Sequence, residues 1–185
     1  DTFQTFVNKT KRFAVLCGDN ANVRKLQVSC PVTYYGFERE NDAVIQDLVL
    51  SESGACFTLW IHGEFFSSFE IPLYGKHMVL DAVAAILVAK ELGVEPSLMQ
   101  EVLREFHPAK RRFAIEEVGN PVGSDDYAHH PTEIRVSLDA VRQKYPHKKL
   151  AVVFKPNTYS RTKDFYVAFA EALNTADHCF LTEID

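Results

Sequence analysis

Residues 125–134 read Asp-Asp-Tyr-Ala-His-His-Pro-Thr-Glu-Ile, and this stretch organises the rest of the sequence. Its first six residues hold two carboxylates and two imidazoles. Pro131 suits the first position of a helix, because its φ is preset and the N–H it lacks would have no partner there. Apolar residues then recur at helical spacing, which predicts a helix from about Pro131 to Tyr145. The titratable groups therefore precede a helix N-terminus, where free N–H groups and the helix dipole favour anions.

A structural role has to be weighed against a functional one for this cluster. An aspartate before a helix is usually a cap, and a single histidine in a turn usually serves a local hydrogen bond. Asp125 alone is equally consistent with either role. Four titratable groups at one helix entrance exceed what capping requires, so we interpret the cluster as functional.

The composition is that of a globular protein with 185 residues, of which 46% are hydrophobic and 24% charged. The net charge of −5 argues against generic nucleic-acid binding. Four scattered cysteines without a Cys-x-x-Cys pair are typical of a reducing compartment and favour neither disulfides nor a zinc site. The sequence contains no run of about 18 apolar residues, so it does not predict a membrane span. The chain begins with Asp and ends on a predicted strand, so we expect it to be part of a longer protein.

Residues 1–108 form the first predicted domain. Two short apolar strands, near 12–17 and 32–37, are followed by a period-two pattern from Ala43 to Ile71 that predicts an antiparallel meander. A helix is predicted from Gly75 to Leu92; it is apolar almost all round, so we expect burial on most sides. A further helix opens at Pro96 and ends before Pro108, where we place the domain boundary.

His77 and Asp81 interrupt the apolar pattern of the first long helix. Their spacing of four residues places them on one helical face. A lone histidine there would more often be a satisfied core residue. A histidine and a carboxylate together at the start of a buried helix make a ligand contact equally reasonable.

Residues 109–185 form the second predicted domain, in which strands alternate with helices. Strands are predicted near 113–118, 121–124, 150–154 and 179–184, and helices over 131–145 and 163–173. This alternation favours βαβ units and a parallel sheet, whose ligands bind beyond the carboxyl ends of the strands. The polar loops 125–130 and 155–162 both follow strands, so we expect them to converge. The basic triplet 110–112 lies on the connector, where it is either a solvated run or a phosphate clamp.

Four motifs together resemble the Mur ligases, and within them the ligases that add L-alanine to UDP-N-acetylmuramate. The stretch 125–134 carries a specific signature. Weaker matches are Lys-Arg-Arg-Phe at 110–113, Tyr-Ser-Arg-Thr at 159–162, and Gly-Lys-His at 75–77, which is similar to the family's Gly-x-His-Asn-x-x-Asn helix start. Their order and spacing fit along the whole chain.

The resemblance implies a fold, a reaction and a set of ligands. This α/β chain would hold the later part of an ATP-binding central domain (1–108) and most of a Rossmann-like C-terminal domain (109–185). ATP would phosphorylate the muramate carboxylate, the alanine amine would attack the acyl phosphate, and phosphate would leave. The implied setting is the cytoplasm, without nucleic acid or membrane partners. The sequence does not give the oligomeric state.

The resemblance also implies roles for individual residues. His77 and Asp81 would lie by the adenine and ribose of ATP, Asp126 near the nucleotide ribose, and Arg112 against its phosphates. His129, His130 and Arg161 would face the acyl phosphate and the incoming amino acid. Such charge-rich intermediates require fixed cations and N–H donors around them.

Several positions depart from the family pattern. Met78 and Asp81 stand where the family usually has asparagine, and Asn157 stands where it usually has histidine. The sequence has no phosphate loop of the form Gly-x-x-x-x-Gly-Lys-[Ser/Thr]. The loop and the acidic Mg²⁺ ligands of the family would precede Asp1, so we expect this chain alone to lack ligase activity.

Three alternatives remain at the level of sequence. The recycling ligase, which joins a tripeptide to the same UDP-sugar, shares the 125–131 motif, although the Tyr-Ser-Arg-Thr loop favours the alanine enzyme. A metal-dependent hydrolase would use Asp125, Asp126, His129 and His130 as ligands, but adjacent histidines rarely aim both rings at one ion. A non-catalytic nucleotide-binding module would explain the departures at 78, 81 and 157.

Overall fold

A computed structural model describes residues 2–109, 113–117 and 122–184, and these form two compact units. Unit 1 comprises residues up to 50, 54–73 and 77–106. Unit 2 comprises 51–53, 74–76 and the chain from 107 onward. The main division along the chain therefore falls after Phe106.

Unit 1 is built on a five-stranded mixed sheet. Its strands are β1 (Ala14–Cys17), β2 (Val32–Gly36), β3 (Ala43–Ser51), β4 (Gly54–Ile61) and β5 (Glu64–Ile71), in the order β1-β2-β3-β4-β5. Strands β1 and β2 pair in parallel, as do β2 and β3, whereas β4 and β5 are antiparallel. The antiparallel pair confirms the period-two pattern in the sequence. The parallel attachment of β1 and β2 to the same sheet was not predicted.

The turn between β4 and β5 contains only His62 and Gly63. Both residues have positive φ, +51° and +85°. Two-residue hairpin turns of this kind match the twist of the flanking strands, and they favour glycine at the second position. His62 therefore has a structural role in a turn.

The helices of unit 1 are α1 (Thr2–Asn8), α2 (Lys76–Glu91) and α3 (Pro96–Arg104). Helix α2 presents Val79, Val83 and Ile86 to the core beside Phe57 and Leu59 of β4. The expectation that α2 is buried on most sides is wrong, because Val88 is 39% exposed and Asp81 lies on the surface. One apolar face is sufficient to attach the helix to the sheet.

Unit 2 contains four strands and two helices among its described residues. They are β6 (Ala114–Glu117), β7 (Val122–Asp125), α4 (Pro131–Lys144), β8 (Ala151–Phe154), α5 (Tyr159–Leu173) and β9 (His178–Leu181). Strands β8 and β9 are joined by α5 and pair in parallel, as the alternating pattern predicted, whereas β6 and β7 form a separate antiparallel ladder. The prediction that all four strands share one parallel sheet is therefore wrong for β6 and β7 among the described residues.

Helices α4 and α5 pack together around the core of unit 2. Ile134 and Leu138 of α4 meet Phe154 of β8 and Phe169 of α5. Helix α5 begins at Tyr159, four residues earlier than the predicted 163. The polar run 159–162 has no apolar period to reveal it as helix. Thr162 Oγ1 donates a hydrogen bond of 2.8 Å to the Thr158 carbonyl, in keeping with helical geometry there.

No helix within the described ranges has both the length and the apolar character needed to cross a bilayer.

Candidate functional site

The entrance to α4 is a capping box in which a histidine takes the place usually held by serine or threonine. His130 is the N-cap, with extended φ and ψ of −118° and 146°, and Pro131 follows at the first helical position. The Thr132 N–H donates to His130 Nδ1 at 3.2 Å. Helix entry thus fixes the His130 ring as well as the backbone.

Glu133 fastens both histidines to the first turn of α4. Its Oε2 accepts hydrogen bonds from the backbone N–H of His129 at 2.9 Å and of His130 at 3.1 Å. The same oxygen lies 3.4 Å from His129 Nδ1, and the two side chains are 33% and 40% exposed. One carboxylate therefore sets the positions of two consecutive residues.

The His129 ring is also held by Tyr127. Its Nδ1 lies 3.1 Å from the Tyr127 carbonyl oxygen, and the two rings meet edge to face with centroids 5.3 Å apart. With Nδ1 directed toward its own loop, the opposite ring nitrogen, Nε2, is the one left for other contacts.

The His130 ring meets the neighbouring helix. Its centroid lies 5.1 Å from that of Phe165, edge to face. Phe165 occupies a kink in α5, with φ −119° and ψ 16°. The His130–Phe165 contact therefore brings the end of the loop 125–130 next to α5, although Phe165 lies beyond the predicted loop 155–162. The packing of α4 on α5 produces this approach, since β7 and β8 do not share a sheet.

Asp126 connects the motif to the start of the β6–β7 ladder. Its Oδ2 accepts from the Phe113 N–H at 3.0 Å and its Oδ1 from the Ala128 N–H at 2.8 Å. Phe113 has a positive φ of +54°, an uncommon conformation for a large residue. Asp126 thus has a structural task, and each oxygen keeps a lone pair for a ligand.

Arg161 lies in the first turn of α5, on the helix and not in the predicted loop. The side chain is half-buried, and its Nη1 atom is buried with no hydrogen-bond partner among the described residues. A buried guanidinium nitrogen without an acceptor is costly, and an anionic ligand would supply one. Arg112, the second arginine named by the sequence, lies outside the described residues.

His77 and Asp81 lie on α2 in unit 1, with His77 half-buried and Asp81 exposed. Burial raises the pKa of Tyr35 to about 12, and the charges of Cys17, Asp81 and Asp19 act in the same direction. Burial likewise raises the pKa of Cys17; backbone hydrogen bonds at Asp19 and Asn20 act against this shift, and the charges of Asp19 and Asp81 add to it. The charge of Asp81 therefore acts on Cys17 and Tyr35, which lie at the carboxyl ends of β1 and β2, the edge where ligands of parallel sheets bind.

Metal ligation finds no support in this part of the molecule. Among the described residues, no three His, Cys, Asp or Glu side chains form a group able to hold an ion. Asp125, Asp126, His129 and His130, the ligands that the hydrolase alternative requires, are accordingly not gathered into such a group among the described residues.

Three residues described above were not identified from the sequence. Glu133 stands at the third helical position, where a capping box has glutamate or glutamine. The pattern is hard to recognise in the sequence because the N-cap is His130 instead of serine or threonine. Phe165 has no sequence signal, because its approach to His130 depends on tertiary packing. Tyr35 reads only as a strand residue.

Comparison with known proteins gives consistent matches. The family model described as the Mur ligase, glutamate ligase domain matches residues 111–185. The solved UDP-N-acetylmuramate-alanine ligase MurC from Thermotoga maritima is 28% identical with a TM-score of 0.73, over 83% of this chain and 34% of that chain.

Two other solved structures share the fold at lower identity. The MurF ligase from Thermotoga maritima in complex with ADP has 22% identity and a TM-score of 0.74, over 94% of this chain and 40% of that chain. A murein peptide ligase from Psychrobacter arcticus has 22% identity and a TM-score of 0.66, over 97% of this chain and 39% of that chain. This chain thus spans about a third to two fifths of the length of these proteins; its residues 111–185 match the Mur ligase domain model, and its fold is similar to that of solved Mur ligases.

Proposed function

We propose that this chain is part of an ATP-dependent ligase that joins L-alanine to the carboxylate of UDP-N-acetylmuramate in peptidoglycan precursor synthesis. The observation that carries the proposal is the 28% identity to a UDP-N-acetylmuramate-alanine ligase over 83% of this chain. The two other structures cited share 22% and indicate the fold alone. The site of action would be the cytoplasm.

The residues of unit 2 suit the reaction chemically. Arg161 has a buried guanidinium nitrogen in need of an acceptor, which a phosphoryl or carboxylate oxygen would provide. His129 and His130, held by Glu133, would face the acyl phosphate and the incoming amine. Asp126 would accept a hydrogen bond from the nucleotide ribose while keeping its two backbone contacts.

The nucleotide is also supported by a related structure, since the MurF ligase was solved in complex with ADP. In unit 1, the half-buried His77 and the exposed Asp81 would contact the adenine and ribose. Arg112, on the connector, would contact the phosphates. An ionised Asp81 accepts hydrogen bonds but cannot donate them, so it suits ribose hydroxyls or the adenine amino group. Mg²⁺ would be held by residues outside this chain.

The second candidate is the tripeptide-adding recycling ligase. It is retained because the recycling ligase shares the 125–131 motif, whereas the match to the murein peptide ligase, at 22% identity, indicates the fold alone. The two activities differ only in the amine substrate, so one assay separates them.

The test uses the complete protein that contains this chain, with ATP, Mg²⁺ and UDP-N-acetylmuramate. Phosphate release is measured with L-alanine or with the tripeptide, and an Arg161→Ala variant serves as the control. Alanine-dependent release that falls at least roughly tenfold in the variant supports the proposal. Release with tripeptide alone would assign the recycling activity, and release with neither would overturn both.

A further inference from the structure

The two adjacent histidines differ in what their Nδ1 atoms contact. A neutral imidazole carries one N–H, which donates, and one bare nitrogen, which accepts. A partner that can only accept therefore requires a proton on the facing nitrogen, and a partner that can only donate requires its absence. Both rings have such a partner at Nδ1, so the protonation state of each ring can be deduced.

His129 Nδ1 faces two acceptors. The Tyr127 carbonyl oxygen lies at 3.1 Å and the Glu133 carboxylate at 3.4 Å. Neither group donates while Glu133 is ionised. The proton of neutral His129 is therefore on Nδ1, and its Nε2 carries a free lone pair.

His130 Nδ1 faces a donor. The Thr132 backbone N–H points at it from 3.2 Å, as part of the capping box at the start of α4. A proton on Nδ1 would oppose this N–H and remove the cap. The proton of neutral His130 is therefore on Nε2, which becomes a hydrogen-bond donor.

We infer that His129 and His130 are locked as opposite neutral tautomers and divide the work of the site between them. His129 offers a bare Nε2, which is a proton acceptor. His130 offers an Nε2–H, which is a donor to an anionic oxygen. Glu133 maintains the difference, because it fixes the His129 ring and completes the cap that fixes the His130 ring.

The roles of the two rings rest on the proposed function. When the amine nitrogen attacks the acyl phosphate, a C–N bond forms and the C–O bond to phosphate breaks, its electron pair leaving on phosphate. The proton lost by the amine passes to His129 Nε2. His130 Nε2–H donates to the negatively charged oxygen that develops on the same carbon.

The tautomers can be measured directly on the 185-residue chain labelled with ¹⁵N-histidine. Long-range ¹H–¹⁵N correlation at about pH 8.5, above the usual range of histidine titration, distinguishes protonated from bare ring nitrogens. His129→Gln and His130→Asn assign the two rings. We expect a protonated Nδ1 in His129 and a protonated Nε2 in His130, each favoured at least roughly tenfold over the other tautomer. The same tautomer in both rings, or averaged nitrogen signals in either, would overturn the inference.

A pair of substitutions separates capping from donation at His130. Asparagine is a good N-cap, so His130→Asn keeps the acceptor for Thr132 while removing the Nε2–H. In the complete protein we expect His130→Asn to retain the wild-type melting temperature and to lose at least roughly tenfold in turnover, whereas His130→Ala loses both. Unchanged turnover of His130→Asn in an active enzyme would contradict the donor role. Because the NMR measurement requires no activity, failure of the tautomer assignment and failure of the proposed ligase reaction give different results.

Discussion

Glu133→Ala tests how much the motif depends on a single carboxylate. The substitution leaves the N–H groups of His129 and His130 without their acceptor at 2.9 and 3.1 Å. Hydrogen bonds to charged groups contribute about 1.5–3 kcal/mol when buried. The Glu133 side chain is 40% exposed, so water would replace part of the loss. We therefore expect a decrease of about 1–2 kcal/mol in the free energy of unfolding, in the range of N-cap substitutions.

Urea denaturation followed by far-ultraviolet circular dichroism measures this change. Glu171→Ala is the matched control, because Glu171 is an exposed helical glutamate whose ion pair with Arg135 spans 4.0 Å. We expect the control to lie within about 0.5 kcal/mol of wild type. Glu133→Gln keeps an acceptor oxygen and should lose less than Glu133→Ala. Equal free energies of unfolding for Glu133→Ala and Glu171→Ala would show that Glu133 does not stabilise the motif.

Three further predictions follow from other parts of the molecule. In the complete protein, Arg161→Ala should lower turnover at least roughly tenfold, with Arg161→Lys intermediate because lysine lacks the planar fork; unchanged kinetics would remove Arg161 from the site. Burial raises the Tyr35 pKa to about 12, above its unfolded value. The contribution of this tyrosine to the free energy of unfolding is therefore complete below about pH 10 and lost as pH rises to about 12. Across this range, the free energy of unfolding of Tyr35→Phe should decline less than that of wild type. A hydrogen bond from the Leu150 N–H and, next, one from Arg142 lower the Asp177 pKa. The contribution of Asp177 to the free energy of unfolding is therefore present above its unfolded pKa and lost as pH falls through its folded pKa. The same acid dependence of the free energy of unfolding in Asp177→Asn and wild type would count against these hydrogen bonds.

Local sequence signals predicted the elements that depend on local chemistry. Pro131 marked the start of α4, and the period-two pattern from Ala43 to Ile71 marked the antiparallel β4–β5 pair, because proline and strand alternation act within a few residues. The apolar run 151–154 became β8, and its parallel partner β9 followed from the intervening helix.

Features that depend on tertiary packing were not predictable. Strands β6 and β7 read like members of the parallel sheet, and only their pairing shows a separate antiparallel ladder. The first turn of α5 is polar at Ser160 and Arg161, so its helical state depends on later apolar residues such as Phe169. Phe165 reaches His130 because α5 is kinked and packs on α4, which no spacing rule reveals.

The same distinction applies to the candidate site. The sequence singled out His129, His130 and Arg161 by residue type and by resemblance. The structure adds the hydrogen bonds that position the two histidines and the burial of the Arg161 Nη1 atom. The identity of the atom that carries each imidazole proton depends on Tyr127, Thr132 and Glu133, and their distances exist only in the folded chain.

The decisive measurement is amine-dependent phosphate release by the complete protein, with ATP, Mg²⁺ and UDP-N-acetylmuramate present. We expect release on addition of L-alanine and little with the tripeptide. No release with either amine, from a protein that remains folded, would contradict the assignment of this chain to an amide-bond ligase.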